Sequence, residues 1–211
     1  MAFIKKPVAK IECVDHDDRI AERDFTGLVE ELNSDNVTAR RWAVRDLTDL
    51  PDSSVPLVAR LAFEDNLSVR TAILNALAHL CDDEAIAGLV HCLRSEDAAL
   101  RNEAIEVLKE VPNEIEPIIH TLLNDSDSDV RIFAVNILES LRHKNVEKWL
   151  INVIEKDAHL NVCATAVDLL SEIGSEIALP ALKQLKIRFE DEPYICFSVD
   201  LALKRIEEGA H

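Results

Sequence analysis

Residues 63–80 read Phe63-Glu64-Asp65-Asn66-Leu67-Ser68-Val69-Arg70-Thr71-Ala72-Ile73-Leu74-Asn75-Ala76-Leu77-Ala78-His79-Leu80, and the chain rewrites this stretch along most of its length. An acidic residue opens a helix, an Arg follows five positions later, and an apolar stripe follows the Arg. Copies run from Asp35 to Leu50, Glu96 to Val111, Asp127 to Leu141, Asp157 to Ile173 and Asp191 to Ile206. Aligned on the Arg, the slot holds Arg40, Arg70, Arg101, Arg131, Cys163 and Cys196, at spacings of 30, 31, 30, 32 and 33 residues. A fixed period in this range marks a stacked helical solenoid whose units pack only on their neighbours.

Each unit divides into two helices. The first (A) carries Phe25-Leu28-Val29-Leu32 in unit one and Ile86-Leu89-Val90-Leu93 in unit three. The second (B) places apolar residues one before the slot and three, four and seven after it, as in Val69, Ile73, Leu74, Leu77 and Val130, Ala134, Val135, Leu138. That is one broad helical stripe, the pattern of a helix buried against neighbours. Punctuation agrees. Pro56, Pro117 and Pro180 fall near starts of A helices, where a missing N–H costs nothing. Pro51 and Pro112 follow B helices that must stop. Asp35, Asp65, Asp127 and Asp157 are placed to cap B-helix N-termini or to favour them electrostatically. The expected fold is all-α: a right-handed α-α superhelix of about six two-helix repeats, at 25–50, 54–81, 84–111, 114–142, 145–173 and 176–206, with an N-terminal arm or cap at 1–24 and a tail at 208–211.

Composition narrows the function. Forty acidic residues against 23 basic give a formal charge of −17, a field that opposes binding to nucleic acid and to anionic membranes. It favours basic partner surfaces. No stretch approaches the roughly 20 apolar residues of a membrane span, and the first residues lack a signal peptide's apolar run. Five cysteines (Cys13, Cys81, Cys92, Cys163, Cys196) without C-x-x-C spacing read as reduced thiols, so the expected location is cytoplasmic.

Metal and nucleophile chemistry find no foothold. Asp125-Ser126-Asp127-Ser128-Asp129 opens like a calcium loop, but the positions that need Gly and Glu are Val130 and Asn136. His159 and Cys163 are four apart, and two ligands do not make a zinc site. Cys163 and Cys196 hold equivalent slots on neighbouring helices about 8–10 Å apart, too far for a disulfide that needs Cα atoms about 4.4–6.8 Å apart. There is no G-x-S-x-G elbow. No cofactor and no metal are expected.

With acidic-x-x-x-x-Arg opening the second helix of a unit of this length, the chain resembles the HEAT repeats, and more narrowly the short HEAT-like repeats of the phycobilisome lyase type. The resemblance covers about residues 25 to 207. It implies a ladder between adjacent repeats, formed by Asp35, Asp65, Arg40, Arg70, Arg101 and Arg131. The repeat loses its Arg in units five and six. HEAT-repeat hydroxylases with di-iron centres use His-Glu dipeptides; none of the seven histidines here precedes Glu. Repair glycosylases built on similar repeats need a basic groove, against the net charge.

What remains is a surface. Solenoid curvature commonly places B helices on the concave side. Slot positions plus one, two and five then look outward: Arg41, Trp42, Arg45; Thr71, Ala72, Asn75; Asn102, Glu103, Glu106; Ile132, Phe133, Asn136; Ala164, Thr165, Asp168. The groove is expected to start basic and to turn acidic at its middle. Trp42 and Phe133 either anchor a partner or fill space between B helices. The primary expectation is a non-enzymatic scaffold binding a protein partner, including one with a basic region, through Arg41, Trp42, Arg45, Asn75, Glu103, Glu106, Phe133, Asn136 and Asp168. The alternative implied by the resemblance is a bilin lyase or chromophore-handling subunit.

Overall fold

A computed structural model describes residues 24–209; the expected arm before Asp24 and the last two residues of the tail lie outside them. Thirteen α-helices and one 3-10 turn make up the described residues, with no strand among them. The A helices are α1 (Phe25–Leu32), α3 (Ser54–Leu61), α5 (Asp83–Cys92), the pair α7 (Pro112–Ile115) and α8 (Ile119–Leu123), α10 (Val146–Lys156) and α12 (Leu179–Arg188). The B helices are α2 (Val37–Leu47), α4 (Leu67–Leu80), α6 (Ala98–Lys109), α9 (Ser128–Leu138), α11 (Leu160–Ile173) and α13 (Pro193–Gly209). Six helix pairs form an α-solenoid.

Several starts are set by side chains that satisfy the first free amides. Asn36 accepts from Thr38 and Ala39, Asn66 from Ser68 and Val69, and Asp97 from Ala99 and Leu100. The caps of α2 and α4 are therefore Asn36 and Asn66, one residue after Asp35 and Asp65. Only the residue just outside the helix has the extended backbone that aims its side chain at those amides. Asp127 does cap α9, accepting from the Asp129 amide. Asp157 accepts from the His159 amide at 2.8 Å but lies two residues before His159, the residue at the cap position, so α11 starts without a side-chain cap. In repeat four the A helix is split, because Pro117 has no amide to continue the ladder of α7.

The B stripe forms the core: Val69, Ile73, Leu74 and Leu77 are buried, as are Val130, Ala134, Val135 and Leu138. Consecutive B helices pack on one another without a break, from α2 through α4, α6, α9 and α11 to α13, whereas A helices meet as closely only at α3–α5 and α10–α12. The B helices thus form the continuously packed row of the array. No described helix is long and apolar enough to cross a membrane.

Candidate partner-binding face

The recurring Arg is committed to holding repeats together. Arg40 Nε and Nη2 donate to Glu64 at 2.8 and 2.9 Å, and its Nη1 donates to the carbonyls of Ser34 and Asp35. Arg70 pairs with Asp97 (2.7 Å) and Glu103 (3.0 Å). Arg131 grips Asp157 with Nε and Nη2 while Nη1 donates to the carbonyls of Asp125 and Ser126. Arg40 and Arg131 thus close their own A–B turns and reach an acid of the next repeat, whereas Arg70 spends its guanidinium on two acids of the next repeat. Asp35 and Asp65 are not those acids. Asp35 contributes its main-chain oxygen, and the carboxylate beside Asp65 that does the work is Glu64, buried between Arg40 and Arg60. Arg101 donates to the Ser95 carbonyl and has no carboxylate partner among the described residues.

At the Cys163 slot a different Arg completes the turn. Cys163 Sγ donates to the Asp157 carbonyl at 3.3 Å. From the end of α12, Arg188 donates to the carbonyls of Ile154, Glu155 and Asp157, and it also contacts Cys163 Sγ. The guanidinium therefore arrives from the next repeat instead of from the slot. Burial pushes the Cys163 thiol up to about 11, with Arg188 acting against that rise. The thiol is a buried structural group. Arg188→Ala is expected to cost about 0.5–1.5 kcal/mol by removing these hydrogen bonds, read as a lower thermal midpoint. Cys163→Arg on the Arg188→Ala background should recover at least half of the loss, because it restores a donor at the slot.

Of the residues expected to face a partner, Trp42 is 38% exposed, and Arg41, Arg45 and Asn75 are exposed beside it. Between α2 and α4 they line an open groove of about 510 Å³ with Thr38, Val44, Thr48, Ala72 and Ala76. The Arg45 guanidinium lies 5.1 Å from the Trp42 ring centre, over its negative face. Two arginines and an indole in a strongly acidic chain make this end of the row chemically distinct.

The acidic middle is less free than its spacing implies. Glu103 is tied to Arg70 and belongs to the repeat junction. Glu106 shares Lys109 with Glu139, at 3.2 and 3.1 Å, although it remains largely exposed. Phe133 is half-buried against the core between B helices, the space-filling role. Asn136 and Asp168 line one groove with Glu139, Thr165 and Glu172, across α9 and α11. Sequence reasoning stopped the ridge at repeat five. On α13 the equivalent plus-one and plus-five positions are Phe197 and Leu201, both exposed, and the same count from Cys196 finds them.

A family model for HEAT repeats matches residues 25–109 and 115–190. Protein YibA of Escherichia coli (strain K12) is 27% identical over 147 residues, covering 68% of this chain and 51% of that protein. The bilin biosynthesis protein PecE of Mastigocladus laminosus is 29% identical over 153 residues, covering 70% and 56% respectively. The chain spans about half the length of these curated relatives. Among solved structures, Drosophila melanogaster Mini spindles TOG3 superposes with a TM-score of 0.52 at 15% identity, over 85% of this chain and 93% of that one, a likeness of fold alone.

Proposed function

Because the chain belongs to the HEAT-repeat family, we propose that it is a non-enzymatic scaffold or adaptor that holds a protein segment along the concave face of its B helices. The observation that carries this reading is the groove of about 510 Å³ between α2 and α4, where Trp42, Arg41 and Arg45 are presented outward. Burying an exposed indole and an Arg in one contact is the usual composition of an interface anchor. Polarity along the row adds specificity: arginines at repeat one, and Glu106, Asp168 and Glu172 further along. Complementary charge fixes the direction in which a segment lies more than it adds affinity.

The test is capture from an extract of the native source on immobilised full-length protein, wild type against Trp42→Ala/Glu106→Lys. At least one protein should be recovered about tenfold less by the double variant, the effect of removing an anchor. Identical recovery by both would sink the concave-face reading.

A second reading rests on the likeness to PecE together with the groove's chemistry. A bilin is a flat, linear tetrapyrrole bearing two propionate carboxylates; Trp42 offers a stacking surface and Arg41 and Arg45 offer two cations. Titrating the protein with biliverdin and recording absorbance separates the two readings. A saturable spectral change lost in Trp42→Ala favours chromophore handling, whereas an unchanged spectrum at high protein concentration removes it.

A further inference from the structure

Repeat six carries on its B helix a surface that the repeat pattern does not demand. On α13, Tyr194, Phe197 and Leu201 stand three and four residues apart and so share one helix face. They are 60%, 68% and 39% exposed. Four residues after the slot, earlier repeats bury Val44, Leu74, Ile105, Val135 and Val167, whereas repeat six places the exposed Asp200, paired with Lys186. Burying a charge there costs several kcal/mol unless it is well paired. A helix pair stacked on α13 in the repeat register would have to cover the Asp200–Lys186 pair, where earlier repeats present only apolar side chains. The apolar stripe needs another occupant.

The neighbouring surface says which kind. Helix α11 packs along α13 and carries Asp168 and Glu172, which line a groove of about 200 Å³ with Glu139 of α9. Glu139 is shared with Lys109. Asp168 and Glu172 have no cation at ion-pair distance among the described residues; burial and the Glu172 charge raise the Asp168 carboxyl above its ordinary range. On α13, Arg205 donates to the Ser171 hydroxyl at 3.2 Å and Lys204 reaches Glu208 at 3.7 Å, and neither is at ion-pair distance from Asp168 or Glu172. An exposed apolar stripe thus runs beside uncompensated carboxylates.

We infer that the α11–α13 end of the row docks a cationic amphipathic segment of a partner protein. Its apolar residues cover Tyr194, Phe197 and Leu201, and its Lys or Arg side chains meet Asp168 and Glu172. This is the way an amphipathic helix lies on an apolar surface with charges along the rim. The inference rests on the scaffold reading and adds the end of the array and the chemistry of the segment. Apolar contact supplies the affinity, and the carboxylates reject an anionic segment of the same shape.

The probe is a fluorescently labelled helical peptide of Leu and Lys with one apolar face, compared with its Glu-for-Lys counterpart. Each is titrated against the full-length protein by fluorescence anisotropy at low and at physiological salt. Wild type should bind the Lys peptide and not the Glu peptide. Phe197→Ser/Leu201→Ser should weaken binding about tenfold or more at both salt concentrations. Asp168→Asn/Glu172→Gln should weaken it several-fold at low salt and flatten the salt dependence. Trp42→Ala, at the other end of the row, should leave it unchanged. These side chains are exposed, so circular dichroism should show the fold retained. Absence of binding to wild type overturns the inference. So does equal binding to wild type and Phe197→Ser/Leu201→Ser, since the peptide then responds to charge alone. If either occurs while Trp42→Ala/Glu106→Lys still loses a native partner, the scaffold reading stands and only this site falls.

Discussion

Arg40→Ala is expected to lower the unfolding free energy by about 3 kcal/mol, near the lower end of the range for breaking a buried ion pair. The side chains of Arg40 and Glu64 are 9% and 1% exposed, so water cannot replace the lost guanidinium at Glu64. Two effects add: Glu64 keeps only Arg60 and the Asn66 amide, and the carbonyls of Ser34 and Asp35 lose a donor. The surviving partners keep the cost from the upper end of the range. Chemical denaturation monitored by circular dichroism measures the loss.

The same variant carries a pH signature. Burial alone would raise the Glu64 carboxyl, but the bonds from Arg40, the Asn66 amide and Arg60 outweigh it and hold the group below its ordinary 4.5. Asp157 is likewise held below 3.8, with burial opposed chiefly by Arg131 and the His159 amide. A carboxyl depressed in the folded state takes up protons first in the unfolded chain. Its contribution is full above the unfolded value and is lost as pH falls through the folded one. The gap between wild type and Arg40→Ala should therefore be constant from pH 7 to about 5 and narrow below about 4.5. A gap unchanged at pH 3.5 would mean that the pair contributes through packing and not through charge.

Gly88→Leu is expected to cost about 3 kcal/mol, the upper end of the range for overpacking. A Cβ at Gly88 would stand 2.3 Å from Val58 Cγ2 and 3.0 Å from Cγ1, across the contact between α5 and α3. Val58 sits in a helix, where a β-branched side chain has essentially one rotamer and cannot swing away. Leu is chosen because its helix propensity exceeds that of Gly by about 0.8 kcal/mol, so any loss reports the clash and not the backbone. The contact joins repeats two and three, and each repeat depends on its neighbours. Beyond a lower midpoint, unfolding should broaden or split as the two sides decouple. The double variant Gly88→Ala/Val58→Ala removes the obstructing methyls and should return close to wild type. If Gly88→Leu unfolds at the wild-type midpoint, the repeats do not meet through this glycine.

The repeat period, the two-helix unit, the core stripe and the solenoid class were legible in the residues alone. They arise from contacts three and four residues apart and from a pattern restated about every thirty residues. Which acid each Arg meets was not. Glu64, Asp97, Glu103 and Asp157 lie 24 to 33 residues from their arginines, and only the offset between stacked repeats brings them within reach. Neighbouring acids such as Glu64 and Asp65 are equivalent on paper; one points between repeats and the other into solvent. Arg188 illustrates the same limit, since no spacing rule announces that an A helix will supply the guanidinium that Cys163 lacks. For the candidate face, counting from the slot located Trp42, Arg45 and Asp168. It also counted Glu103 and Phe133, which neighbouring repeats absorb into a junction and into packing. Local chemistry thus determined what each repeat is. The stacking of repeats, a non-local contact, decided which of its charged and aromatic residues are spent on the fold and which remain exposed.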